Sequence, residues 1–183
     1  MAEGQTHVNK DGEGSRFLAL EIRPTKAGFA VFEDSTMLDW GVRGYGLTPA
    51  FRRIGALLSL YAPSVIVIRR RHYLKHGDPG ARVVQSIKLG ARRKSISVRS
   101  LDTHHIRAYF KQRGCETKHA VATLLAERFP ELAWKVPPKR KPWQSEPHNT
   151  LIFDAVAISV TFLTAESEGL RSRSPSVAPP TGE

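Results

Sequence analysis

Cysteine is almost missing from this chain: Cys115 stands alone among 183 residues. One thiol excludes an intrachain disulfide and a multi-cysteine zinc site, and a lone thiol is more often a small core residue than a nucleophile. Long apolar runs are missing too. No window reaches about eighteen uninterrupted apolar residues, the length that a bilayer span needs. No basic segment at the N-terminus leads into an apolar stretch, as a secretory signal would. A cytoplasmic protein without a membrane partner is therefore expected. There is no Walker-type loop, no dinucleotide glycine fingerprint and no Gly-x-Ser-x-Gly elbow, which removes the corresponding nucleotide-binding and hydrolase classes. Acids are scarce, 17 Asp and Glu against 28 Lys and Arg, for a formal net charge of +11.

The basic residues are clustered. The stretch RRRHYLKHGDPGARVVQSIKLGARRK holds nine of them, Arg69, Arg70, Arg71, Lys75, Arg82, Lys88, Arg92, Arg93 and Lys94, against the single acid Asp78. A second run, KVPPKRKPW, brings Lys135, Lys139, Arg140 and Lys141 with no acid. Such clustering suits a phosphate backbone, because each neutralised phosphate releases condensed counterions. The competing readings are a soluble basic surface and binding to anionic lipid, but no amphipathic helix of membrane-anchor type accompanies the charge. Nucleic acid is the expected partner. Tyr73, Trp134 and Trp143 flank the basic runs and suit stacking on unpaired bases, although Trp134 is also expected to pack in the core.

The chain reads as one domain over residues 16–165 between two tails, 1–15 and 166–183, which are poor in large apolar side chains and cannot offset the entropy of ordering. RFLALEI, AGFAVFE and TMLDWGVRGY read as three strands with short links, hence an antiparallel meander. TPAFRRIGALLSLYAP changes to helical period, with Thr48 and Pro49 suited to its cap and first turn. SVIVI is a buried fourth strand. ARVVQSIKLGARRK is an amphipathic helix with a basic wet face, SISVRSL a fifth strand, and THHIRAYFKQ and TKHAVATLLAERFPEL two further helices. A Pro-rich basic loop then leads to the closing helix, NTLIFDAVAISVTFLTAES.

Two acids stand out against this background. Asp154 is the one ionised group in LIFDAVAISVTFL, and a buried carboxylate there must be exposed, paired with a cation or bound to metal. Its bland explanation is a first-turn acid favoured by the helix dipole. Glu21 lies between Leu20 and Ile22 inside a strand, where acids are disfavoured, so it also needs a partner.

The order of elements is that of the RNase H-like α/β fold: a mixed five-stranded sheet, three antiparallel strands followed by alternating helices and strands, flanked by helices. LALEIRPTKAGFAVFE resembles the opening of the RuvC-type Holliday-junction resolvases, where an apolar strand ends in a metal-binding Asp before a Pro-containing turn. QSIKLGARRKSISV is similar to that family's Lys-Leu-Gly helix, ETKHAVATLL to the segment whose lysine, here Lys118, approaches DNA, and FDAVAIS to its closing helix. The resemblance spans about residues 16 to 165. It implies a dimeric endonuclease that cuts branched DNA with Mg2+, using four carboxylates that converge on hard cations.

By that resemblance Glu21 and Asp154 are the candidate catalytic and metal-binding residues. The acid expected after the fourth strand is replaced by Arg69, and the one expected a turn before Asp154 by Leu151. A guanidinium in a ligand's place repels a cation and donates only to anions, so Arg69 is expected to pair with Glu21 and Asp154 without metal. Glu146 and His148 are the candidate replacement ligands if the site is active but rearranged; each also reads as an ordinary loop residue. Three classes follow: a DNA-binding module with a degenerate site and no cofactor, a magnesium-dependent structure-selective endonuclease, and a non-catalytic subunit that docks on a partner nuclease.

Overall fold

Alternate residues of a strand face opposite sides of its sheet, and RFLALEI is apolar on both sides, so it must be covered twice. It forms β1 (Arg16–Ile22) at the middle of the sheet. The computed structural model of the protein describes residues 15–45, 50–70, 78–139, 141, 143, 145 and 147–173, with side chains described as far as residue 168, Phe51 excepted. Thr48, Pro49, Arg71, Tyr73, Lys75, Arg140 and Glu146 lie outside the described residues.

Among the described residues five strands form one sheet in the order β3-β2-β1-β4-β5. Strands β2 (Lys26–Glu33) and β3 (Thr36–Gly44) complete the expected antiparallel meander, with β4 (Val65–Arg70) and β5 (Ser97–Asp102) added in parallel on the other side of β1. Leu18, Leu20 and Ile22 of β1 and Ile66 and Ile68 of β4 pack into one apolar layer. It is closed by α1 (Ala50–Tyr61) through Ile54, Leu57 and Leu58, and by α2 (Pro79–Arg93) through Ile87 and Ala91. The other face, Phe17, Ala19 and Val67 among its residues, is covered by α3 (Thr103–Lys111), α4 (Lys118–Arg128) and above all α5 (Thr150–Arg173).

The helix starts are set by local chemistry. Asp78, Asp102 and Thr117 each accept a backbone N–H at the start of α2, α3 and α4 respectively, and Pro79 occupies a first-turn position where its missing N–H costs nothing. Helix α5 runs on to Arg173, past the boundary expected at residue 165. By length and mean hydropathy its Thr150–Glu168 portion could cross a bilayer, yet 67% of that window is buried inside the domain, the place of a core helix.

Trp134 departs from expectation. It is 73% exposed rather than buried. It lies near the end of a 3₁₀ turn, Pro130–Lys135, whose tight winding turns Leu132 into the core and leaves Trp134 outside. There its ring meets Trp40 of β3 edge to face, with centroids 6.2 Å apart.

Candidate functional site

Strand alternation places Glu21 on the α5 side of the sheet together with Phe17 and Ala19, and places Arg69 on the same side together with Val67. The β1–β4 ladder pairs Leu20 with Ile68, so the next step along both parallel strands sets Glu21 beside Arg69. On its other flank Glu21 faces Gly28 of β2. A Cβ on Gly28 would collide with the carbonyl of Leu151. The bare glycine thus lets the first turn of α5 lie against the sheet, and Asp154, one turn later, arrives over Glu21.

The two carboxylates are held by cations. Glu21 is fully buried. Arg69 Nε lies 3.1 Å from Glu21 Oε2, and its Nη2 lies 3.5 Å from Asp154 Oδ1. The Nε–H is not aimed at Oε2, so that contact is electrostatic rather than an aligned hydrogen bond. Arg23, just beyond β1, repeats the bridge from the other side, with Nε 3.5 Å from Glu21 Oε1 and Nη2 3.6 Å from Asp154 Oδ2. Lys118 Nζ, at the start of α4, donates to Asp154 Oδ2 at 3.2 Å. Among the described residues two carboxylates therefore meet three cations. A cleft of about 630 Å³ opens beside them between α3, α4 and α5, with Phe110, Val121 and Phe153 on its walls and Arg69, Arg107, Lys111 and Lys118 among its polar lining.

The other candidates are spread around this end of the molecule and beyond it. His148 does not reach the acids; it is exposed, and its Nδ1 accepts from Lys26 Nζ at 3.1 Å. Arg70 is exposed at the end of β4, and Lys139 and Lys141 are exposed in the linker before α5. Arg82, Lys88, Arg92, Arg93 and Lys94 are all exposed on or just after α2. They belong to the opposite layer of the sheet from Asp154. Because β5 begins beside the start of β4, the residues Arg92 to Lys94 that precede it lie at the far end from Glu21. Arg23 was not singled out from the sequence. Its spacing of two from Glu21, the strand period, was the available signal.

No family model and no curated protein matches the chain. Solved structures do. RuvC of Thermus thermophilus superposes with a TM-score of 0.58 at 14% identity, over 84% of this chain and 96% of that one. The fold is that of the RuvC-type resolvases. The yeast mitochondrial Holliday junction resolvase gives a TM-score of 0.64 at 13% identity, over 88% of this chain and 82% of the other. The Fowlpox virus resolvase, in a complex with Holliday junction DNA, gives 0.55 at 9%, over 81% and 99%. On this RuvC-type frame the donor set was tested for a divalent cation. Magnesium takes an octahedron of oxygens, largely anionic or water. Here Glu21 and Asp154 share their oxygens with two guanidiniums and an ammonium, which among the described residues gives the cluster a formal charge of +1. Among the described residues no group of three or more His, Cys, Asp or Glu is placed to hold a metal. These residues do not fit the ion.

Proposed function

We propose that this protein is a RuvC-type module that binds branched DNA and does not cut it. The observation that carries the reading is Arg69, 3.1 Å from Glu21 and 3.5 Å from Asp154. Metal-assisted phosphodiester hydrolysis needs an anionic cage that concentrates positive charge on the attacking and leaving oxygens. A guanidinium inside the cage already neutralises it and opposes entry of a second cation by like-charge repulsion. What remains favourable is contact with phosphate. Exposed Lys118 rests on Asp154 and exposed Arg70 follows Arg69 at the end of β4, Lys139 and Lys141 stand exposed in the linker before α5, and Arg82 and Lys88 add a basic helix face. The fold similarity to resolvases, one of them in a complex with Holliday junction DNA, favours branched DNA as the ligand. In this reading any cutting at a bound junction belongs to a partner nuclease, and a homodimer would present two such surfaces to the arms of one junction.

The test is a labelled four-way junction, a duplex and a single strand, each incubated with magnesium, manganese or a chelator, with binding and cleavage read from the same reactions. Junction binding that is tight, unchanged by chelator and free of product is expected. Metal-dependent cleavage that disappears in Asp154→Asn would replace this reading with that of a rearranged endonuclease, whose extra ligands would be sought at Glu146 and His148.

A further inference from the structure

Two tryptophans are the most exposed large apolar side chains among the described residues. Trp134 is 73% and Trp143 78% exposed. Burying an aromatic ring is among the largest single gains available to a folded chain, so two rings left in water within one linker need a reason. Each has a lysine over it. Lys135 Nζ lies 3.8 Å from the Trp134 ring centroid, and Lys141 Nζ lies 5.5 Å from that of Trp143. Between the rings the sequence carries Lys135, Lys139, Arg140 and Lys141 and no acid.

The linker is tied near the Glu21 end of the sheet at two points. His119 Nδ1 donates to the carbonyl of Pro137 at 2.9 Å, and His119 adjoins Lys118, whose ammonium rests on Asp154. At the other end His148 accepts from Lys26, at the start of β2, just before α5 begins. The linker from Pro137 to His148 therefore leaves from and returns to the Glu21 end of the sheet, with Trp143 within it and Trp134 just before it, against Trp40.

We infer that Trp134 and Trp143 form a stacking platform for unpaired nucleobases, with the linker lysines holding the intervening phosphates. Every base has a π-face, so a ring open to solvent accepts any of them, and neighbouring ammonium groups supply the charge that the strand requires. The ligand is single-stranded DNA, or the unpaired bases where a branched molecule opens. The inference rests on the proposed DNA binding and adds to it a site that the paired arms of a junction do not use.

The full-length protein is titrated with a thymidine oligonucleotide of about a dozen nucleotides and with an abasic strand of the same length, while tryptophan fluorescence is followed. The phosphates are the same in both, and only one carries bases. The expected result is quenching by the thymidine strand, binding of it much tighter than of the abasic strand, and a loss of about tenfold in affinity for each of Trp134→Ala and Trp143→Ala. Trp134→Phe should recover most of that loss, which a merely structural role would not explain. Affinity for a fully paired four-way junction should stay within about twofold in the same variants. Equal affinity for thymidine and abasic strands, or alanine variants that bind thymidine as the parent does, would overturn the platform and leave junction binding standing. Failure of the parent protein to bind any of these DNAs would overturn the proposed function itself.

Discussion

At the scale of single residues, the acid pair is where the sequence breaks its own local rules, and the structure supplies the compensation. A carboxylate as buried as Glu21 needs compensating charge, and Arg69 and Arg23 lie within ion-pair distance of it. Removing one member of such a cluster leaves the others uncompensated. Glu21→Gln is therefore expected to destabilise the fold by about 3 kcal/mol in urea unfolding, the usual cost of breaking a buried pair. Arg69→Glu should cost at least as much in chelator. It also supplies a third carboxylate, so manganese should restore part of the lost melting temperature in that variant and leave the parent unmoved; equal response of the two proteins would sink the account of Arg69 as the group that excludes metal. Tyr45 presents the opposite case. Its hydroxyl is buried without a hydrogen-bond partner among the described residues, and burial pushes its pKa upward from 10.0. Above pH 10 the unfolded chain loses this proton while the folded one retains it, so stability falls as pH rises. Tyr45→Phe should be neutral or stabilising by up to about 1 kcal/mol at neutral pH and should flatten that alkaline loss.

At the scale of elements, the position of α5 depends on one missing side chain. Gly28→Ala would drive a methyl into the Leu151 carbonyl, a backbone atom that can yield only if the helix moves. A loss of about 3 kcal/mol or more is expected, with the movement lifting Asp154 away from Glu21. If unfolding of the variant matches the parent, the close approach of α5 to β2 is wrong. The elements themselves were legible in the sequence because period and composition agree. RFLALEI and SVIVI are too short and too apolar for anything but buried strands, and Val83, Ile87 and Ala91 repeat at helical spacing. Glu21, Asp154 and Arg69 were legible for a different reason, as charges inside apolar runs. Arg23 and Trp134 were not. Strand spacing sets Arg23 on the side of Glu21 but does not show that the chain leaving β1 brings it to Asp154 as well, and nothing in the string shows that a 3₁₀ turn leaves Trp134 outside while it buries Leu132. Such facts belong to packing between distant segments, which local pattern does not encode.

At the scale of the whole molecule, two groups of exposed cations among the described residues stand at opposite ends of the sheet. One lies at the Glu21 end, where Lys118 meets Asp154 and Arg70 ends β4; the other lies at the end of α2, where Arg92, Arg93 and Lys94 stand exposed at the opposite end of the sheet. A single duplex arm crossing only the first region would not touch the second, whereas a branched molecule that wraps the domain would engage both. Salt dependence separates these geometries, because each phosphate contact adds about 0.9 to the slope of log K against log salt. Neutralising Arg92 and Arg93 together as glutamines is expected to lower that slope by up to about 1.8 for a four-way junction and to change it little for a short duplex. The fold should be unaffected, since both side chains are exposed. An unchanged junction slope at low salt would remove the end of α2 from the interface and confine DNA to the face around Glu21 and Asp154. Equal losses for junction and duplex would instead mean that both regions bind phosphate without regard to the shape that carries it, which would count against a preference for branched DNA.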